Sequence, residues 1–238
     1  MSTHVKGWTT IAENPQVLVR EYAFGPGLSN AMAVQLPGGK LMIVSPPIGV
    51  PDAELREIGA LGEVVALVAN NGGHHLGLAP ARAAFPKAVS YAAPAAAERI
   101  RSKGKDPGEL KPIDALEPLL GDKVRVLAID GCKVGDAIIW VKTEKGVVFY
   151  AGDFIANIQK PPSSFLFRLL FRLTDSAPGF KVFKLFFKTF IKDAAATRDH
   201  LIREFEADAP TILVPAHGDV ITRSDLAPTL VSMLRAAV

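Results

Sequence analysis

Val64-Val65-Ala66-Leu67-Val68-Ala69-Asn70-Asn71-Gly72-Gly73-His74-His75 is the stretch on which the fold turns. Val64 to Val68 is a short apolar run of the kind a buried strand carries. It ends in a polar, glycine-containing loop, and loops after strand ends are where α/β folds place their chemistry. Adjacent histidines face one site only if the backbone turns sharply, which Gly72-Gly73 permits.

On the N-terminal side of this stretch, Ala31 to Gln35 and Leu41 to Val44 read as strands joined by the turn Pro37-Gly38-Gly39-Lys40. Asp52 to Leu61 has helical spacing and stops at Gly62. After the histidine loop come a short helix (Leu78 to Ala84), a strand (Ala88 to Tyr91) and a helix (Pro94 to Lys103) with proline at its first position. Lys105 to Lys111 is a polar loop. Val124 to Ile129 is a strand, and Ala137 to Val141 with Val147 to Tyr150 form a hairpin. Thr211 to Val214 is one more strand, and a helix from about Ser224 to Arg235 closes the chain. Two hairpins plus isolated strands, each half followed by helices, point to mixed sheets with outer helices, not to one doubly wound parallel sheet.

Three further polar clusters fall at strand ends: Gly131-Cys132, Gly152-Asp153 and Ala216-His217-Gly218. Imidazole with carboxylate is the donor set zinc-type metals favour, and a catalytic site keeps one position open. Taken singly, each residue has a plainer reading. The histidine pair is a solvated loop, Asp153 a helix N-cap and His217 a turn residue. Their shared position after apolar strands is what argues for a common site.

The order and context of these motifs resemble the metallo-β-lactamase superfamily, over about residues 20 to 220. Asn70 to His75 matches the HxHxDH loop in place and length, with Asn70 and Gly72 where its first two histidines stand, His74 in place of aspartate and His75 as the last histidine. Gly131-Cys132-Lys133-Val134-Gly135 looks like the GHTPG turn with Cys132 for histidine. Gly152-Asp153 matches the bridging aspartate, and Ala216-His217-Gly218 the final histidine. The likeness is nearest to a branch with an asparagine loop followed by His-His, an aspartate-then-asparagine motif (Asp153 and Asn157) and a late His-Gly.

The resemblance implies an α+β chain folded as one αββα four-layer sandwich over 1–238, with a helical Phe/Lys-rich insertion at about 160–192. It implies loss of the first metal site, of which Asp153 alone survives. A mononuclear second site remains, with His74, His75, Asp153 and His217 as ligands of one divalent metal, zinc before iron or manganese. Such a metal activates water and polarises a small ester-like or phosphoester-like substrate, with Asp153 and His74 at the reacting centre. Cys132 is either a further thiolate ligand or a small buried residue, and Asn70 either a polar contact or a filler of vacated space. The alternative is a non-catalytic protein of this fold that binds an apolar ligand or a membrane surface.

Composition narrows the rest. The chain has 238 residues, 49% hydrophobic and 21% charged, with a net charge of +3 that is too small by itself to argue for nucleic acid. No nucleic-acid partner is expected, because the aromatics follow a core-like stripe and not an interleaved stacking surface. The single Cys132 excludes an intrachain disulfide, and Met1 to Thr10 lacks an apolar leader, so a cytoplasmic protein is expected. Homodimerisation stays open. Residues 160–192 hold eight of the thirteen phenylalanines and seven Lys/Arg against the one acid Asp175. Ser176-Ala177-Pro178-Gly179 is expected to split them into two helices, with Phe180, Phe183, Phe187 and Phe190 on one face of the second. Three readings compete: a hairpin packed on the sandwich, a cap over the cleft, or a surface for an anionic membrane or a partner.

Overall fold

The computed structural model describes residues 5–103, 108–160 and 162–238. Part of the expected loop Lys105 to Lys111 therefore lies outside the described residues. The first sheet runs in chain order through β1 (Thr9–Glu13), β2 (Gln16–Phe24), β3 (Gly27–Leu36), β4 (Lys40–Val44), β5 (Val64–Ala69), β6 (Val89–Ala92) and β7 (Lys111–Pro112). Its first four strands are antiparallel, while β4 to β7 are parallel. The parallel connections carry α1 (Asp52–Arg56), α2 (Leu78–Ala84) and α3 (Pro94–Ser102). After α4 (Glu117–Leu120), the second sheet is built from β8 (Val124–Ala128), β9 (Ala137–Thr143) and β10 (Gly146–Tyr150). A small two-stranded piece follows, β11 (Ile155–Ile158) with β12 (Gly179–Val182), separated by α5 (Phe165–Leu173). Then come α6 (Lys184–Phe190), α7 (Ala194–Ala207), β13 (Ile212–Val214), β14 (Ile221–Thr222) and α8 (Leu226–Ala237). The second sheet has the order β14-β13-β10-β9-β8.

Period-two alternation makes the layers. Met42 and Val44 of β4 face Ile139 and Val141 of β9 and Val148 and Tyr150 of β10 in the core between the sheets. Leu41 and Ile43 point outward, where they pack with Leu55, Leu78 and Ile100 of the first helical layer. Ile138 and Trp140 of β9 and Phe149 of β10 do the same on the far side, against Phe205 of α7 and Leu230 and Leu234 of α8. The result is the expected four-layer αββα sandwich.

Two expectations change. Residues 9–24, not read as strands, form β1 and β2, and β2 makes the long antiparallel ladder with β3. The segment after Ser176 does not begin as a helix: Phe180 pairs with Asn157 in the β11–β12 ladder, and α6 starts only at Lys184. Phe180 shares helical spacing with Phe183 and Phe187, but backbone pairing with a distant strand overrides local periodicity.

Candidate metal centre

His74 lies in the loop after β5, Asp153 in the turn after β10 and His217 in the loop after β13. These elements are brought together because β13 pairs with β10 in parallel, so that both strands end on the same side. Across the cleft, β3 is tied to the β13 loop: Asn30 N–H donates to Ala216 O (2.9 Å), and Asn30 Nδ2 donates to Pro215 O (2.9 Å) and Gly218 O (2.7 Å). Asn157 holds the same loop from the other side, its N–H on His217 O (3.0 Å) and its Nδ2 on Asp219 O (2.9 Å). Gly218 has a φ of +101°, and a Cβ there would lie 2.0 Å from Asn157 O, so this close approach requires glycine.

His74 Nε2 lies 3.4 Å and His217 Nε2 3.2 Å from Asp153 Oδ1. The far nitrogen of each ring is committed elsewhere. His217 Nδ1 is 2.7 Å from Leu28 O, a pure acceptor, so Nδ1 carries the proton. Ser29 Oγ gives its one hydrogen to Ala216 O (2.9 Å) and so accepts from His74 Nδ1 at 3.3 Å. In the neutral rings both lone pairs therefore sit on Nε2, beside Asp153 Oδ1, a buried atom with no hydrogen-bond partner of its own among the described residues. Lone pairs facing an unsatisfied carboxylate oxygen are what a cation resolves. The three ligand atoms lie within 4.8 Å of one another, and two imidazoles with a carboxylate suit zinc with an open position.

Asn71 shapes the loop. Its Oδ1 accepts from Gly73 N–H (2.7 Å) and His74 N–H (3.1 Å), and its Nδ2 donates to Asp153 Oδ2 (2.8 Å) and Asp136 Oδ2 (3.2 Å). Asp136 is wholly buried and also accepts from Asn70 Nδ2 (2.8 Å) and Asp153 N–H (3.0 Å). Burial and the neighbouring Asp153 charge push the Asp136 carboxyl well above its usual range, against those N–H donors. Gly152 makes room for this contact, since a Cβ there would lie 2.3 Å from Asp136 Oδ1.

The remaining candidates fall elsewhere. His75 stands outside the group of three ligand atoms. It is buried, and its carbonyl accepts Leu78 N–H (3.0 Å) at the entry to α2. The Asn71 clamp fixes the backbone at His74, whose Nε2 lies 3.4 Å from Asp153 Oδ1. Cys132 is also outside the group, packed in the apolar core with Ile129, Val134 and Ile191. Burial pushes its thiol up to about 11, the opposite of what a thiolate ligand needs. Asn70 is fully buried between Asp136 and the Ser45 hydroxyl, which donates to its Oδ1 and sits 2.9 Å from Tyr150 Oη. It is a polar contact, not a filler. Sequence reasoning missed Asp136, Asn71 and Ser29. A signal existed for Asp136 alone: an acid directly before the fully apolar run Ala137 to Val141.

Phe24 stacks on the His74 ring at 4.6 Å, and Phe183 lies 6.5 Å from the His217 ring. The side chain of His74 is only 2% exposed, against 19% for His217, so solvent reaches the cluster from the His217 side.

Proton linkage follows from this geometry. Burial opposes charge on His217, but the Asp153 carboxylate outweighs it and raises the imidazole above its ordinary 6.5. Burial likewise opposes charge on Asp153, yet His74 and His217 hold it well below the usual carboxylate range. The Asp153 contribution is present above the unfolded pKa of 3.8 and is lost only in strong acid. The His217 contribution is complete below 6.5 and fades as pH rises through the raised value. Chelator-treated protein is therefore expected to melt at a lower temperature at pH 8 than at pH 6, more so than a His217→Asn variant. Equal slopes for the two proteins would contradict this.

A four-layer αββα sandwich with its polar cluster at the strand ends between the sheets is the metallo-β-lactamase fold. No family model matches the chain, and no curated protein sequence matches it. Solved structures do. The metallo-β-lactamase from Erythrobacter litoralis is 16% identical, with 99% of each chain covered and a TM-score of 0.62. The metallo-β-lactamase FIM-1 from Pseudomonas aeruginosa, in its mono-zinc form, is 16% identical over 97% of this chain and 95% of its own, with a TM-score of 0.60. That from Pontibacter korlensis is 11% identical over 96% and 98%, also at 0.60. At these identities the likeness establishes the fold.

Proposed function

We propose that the chain is a metal-dependent hydrolase with a mononuclear site, in which His74, Asp153 and His217 hold one divalent metal, zinc by preference. The observation that carries this is the convergence of two tautomer-fixed Nε2 atoms on the otherwise unpartnered Asp153 Oδ1. The mono-zinc form of FIM-1, a protein of the same fold, is consistent with one metal sufficing. When bound, the metal would supply Lewis acidity and a nucleophile at neutral pH. Ser29 and the Leu28 carbonyl orient the two imidazoles, and Asn71 orients the second oxygen of Asp153. Phe24 against His74 and Phe183 near His217 offer an apolar wall beside the solvent-facing side of the cluster, which suits an ester-like or phosphoester-like substrate with an apolar part. His74 acts here as a ligand and not as a free base.

Metal analysis of protein purified without chelator, followed by turnover of aryl esters and bis-aryl phosphates with zinc, manganese or iron, tests the reading. About one metal per chain and metal-dependent turnover are expected. Metal without turnover would favour the non-catalytic alternative, and no metal at all would end the proposal. Ser29→Ala is expected to weaken zinc affinity about 10- to 100-fold with little loss of fold, because it frees the His74 ring to rotate and change tautomer. Unchanged zinc affinity in a competition titration would rule that role out.

A further inference from the structure

We propose that α5 docks the protein onto an anionic lipid surface. Among the described residues, seven large apolar side chains are exposed, and five of them are on this one helix: Phe165, Leu166, Phe167, Leu169 and Leu173. Phe165, Leu166 and Leu173 are 71%, 70% and 76% exposed, which is far from the fate of such residues in a packed hairpin. At helical spacing Phe165, Leu166, Leu169 and Leu173 share one outward arc, with Arg168 and Arg172 along its edge. The opposite side is anchored, Phe171 packing on Phe183 at 5.2 Å. Ser163 N–H donates to Pro26 O (2.9 Å) before the helix, and Ser176 N–H to Phe171 O (2.8 Å) after it. The apolar arc is thus held outward by the fold.

Charge selects the occupant. Residues 160–192 hold seven Lys/Arg and one acid, in a chain whose net charge is +3, so the rest of the chain is net negative. That one acid, Asp175, is taken by Lys181 and Lys184, which leaves Arg168 and Arg172 without an acidic partner in the segment. Outward apolar residues edged by arginine are the pattern of a helix lying in a membrane interface, where anionic headgroups meet the guanidinium groups and the apolar arc enters the acyl boundary. A second copy of this chain would bring the same basic face against itself. No helix among the described residues is long and apolar enough to cross a membrane, so the contact is peripheral. Phe167, Phe171 and Phe183 form a line of ring contacts from α5 to His217, so the docking face adjoins the candidate metal centre. The docking itself stands whether or not that centre holds a metal.

Flotation of the full chain with phosphatidylcholine vesicles, with and without phosphatidylserine, tests this. Wild type is expected to bind the anionic vesicles at least about tenfold more tightly than the neutral ones, and to weaken as salt rises. A Leu166→Asp/Leu173→Asp variant and an Arg168→Glu/Arg172→Glu variant are each expected to lose about tenfold or more. All four side chains point to solvent, so an unchanged melting temperature and circular dichroism spectrum are expected of both. Wild type left in solution beside anionic vesicles would overturn the proposal, as would charge-reversed protein that floats like wild type. A wild-type dimer that Leu166→Asp/Leu173→Asp converts to monomer would assign the face to a second copy instead.

Discussion

Asp136→Ala is expected to lower folding stability by about 2–4 kcal/mol and to loosen the candidate metal centre with it. The carboxylate receives Asn70 Nδ2, Asn71 Nδ2 and Asp153 N–H in a place with no solvent. Removing it takes the acceptor from Asn70 Nδ2 and Asp153 N–H and leaves Asn71 Nδ2 with Asp153 Oδ2 alone, at a cost of roughly 1–3 kcal/mol for each donor left without a partner. Relief of its repulsion with Asp153 works the other way and keeps the net below the full sum. Asp136→Asn keeps the volume and one acceptor oxygen, but sets an amide N–H₂ against at least one N–H donor, so it should fall between wild type and alanine. Urea unfolding of the chelated proteins decides the matter. A loss under about 1 kcal/mol for Asp136→Ala would mean that the Asn70–Asp136–Asn71 network contributes little to the fold.

Asp153→Asn should reduce zinc affinity by about 10²- to 10⁴-fold, and any metal-dependent turnover in step. A structural zinc site contributes roughly 10–16 kcal/mol in all, shared among its ligands, so one ligand carries about 3–5 kcal/mol. Asparagine preserves shape and the hydrogen bond from Asn71 only through its carbonyl oxygen, and it removes the one negative charge between the two imidazoles. Above the pH at which His217 loses its proton, the metal-free fold should tolerate the change better than it tolerates Asp136→Ala, because Asp153 Oδ1 then has no donor to lose; below it, the pairing with His217 is lost as well. The two variants together separate a stabilising carboxylate from a ligating one. Isothermal titration with zinc is the measurement, and affinity within tenfold of wild type would remove Asp153 from the ligand set.

How much of this was legible in the sequence follows the range of the interactions. The β3–β4 and β9–β10 hairpins, the buried β5 and α3 were readable because alternation and turn chemistry are local. β12 was misread because Phe180 falls on a helical period, while its pairing with Asn157 spans more than twenty residues of chain. Strands β1 and β2 carry weaker local signals, and their place is set by the ladder with β3.

The loop Asn70 to His75 shows the same division within a few residues. From the sequence alone, a buried strand runs into Asn70-Asn71-Gly72-Gly73-His74-His75 at the chemical end of an αββα sandwich, and Asp153 and His217 end two other strands. Which side chains meet was decided only by the tertiary structure. Asn71 Oδ1 caps the turn that brings His74 to Asp153, His75 stands outside the group of three ligand atoms at the entry to α2, and Asp136 ties the two loops together. The reason is directional. Composition and spacing place a residue at a strand end, but the direction of its side chain depends on turn dihedrals and hydrogen bonds to residues tens of positions away in the chain.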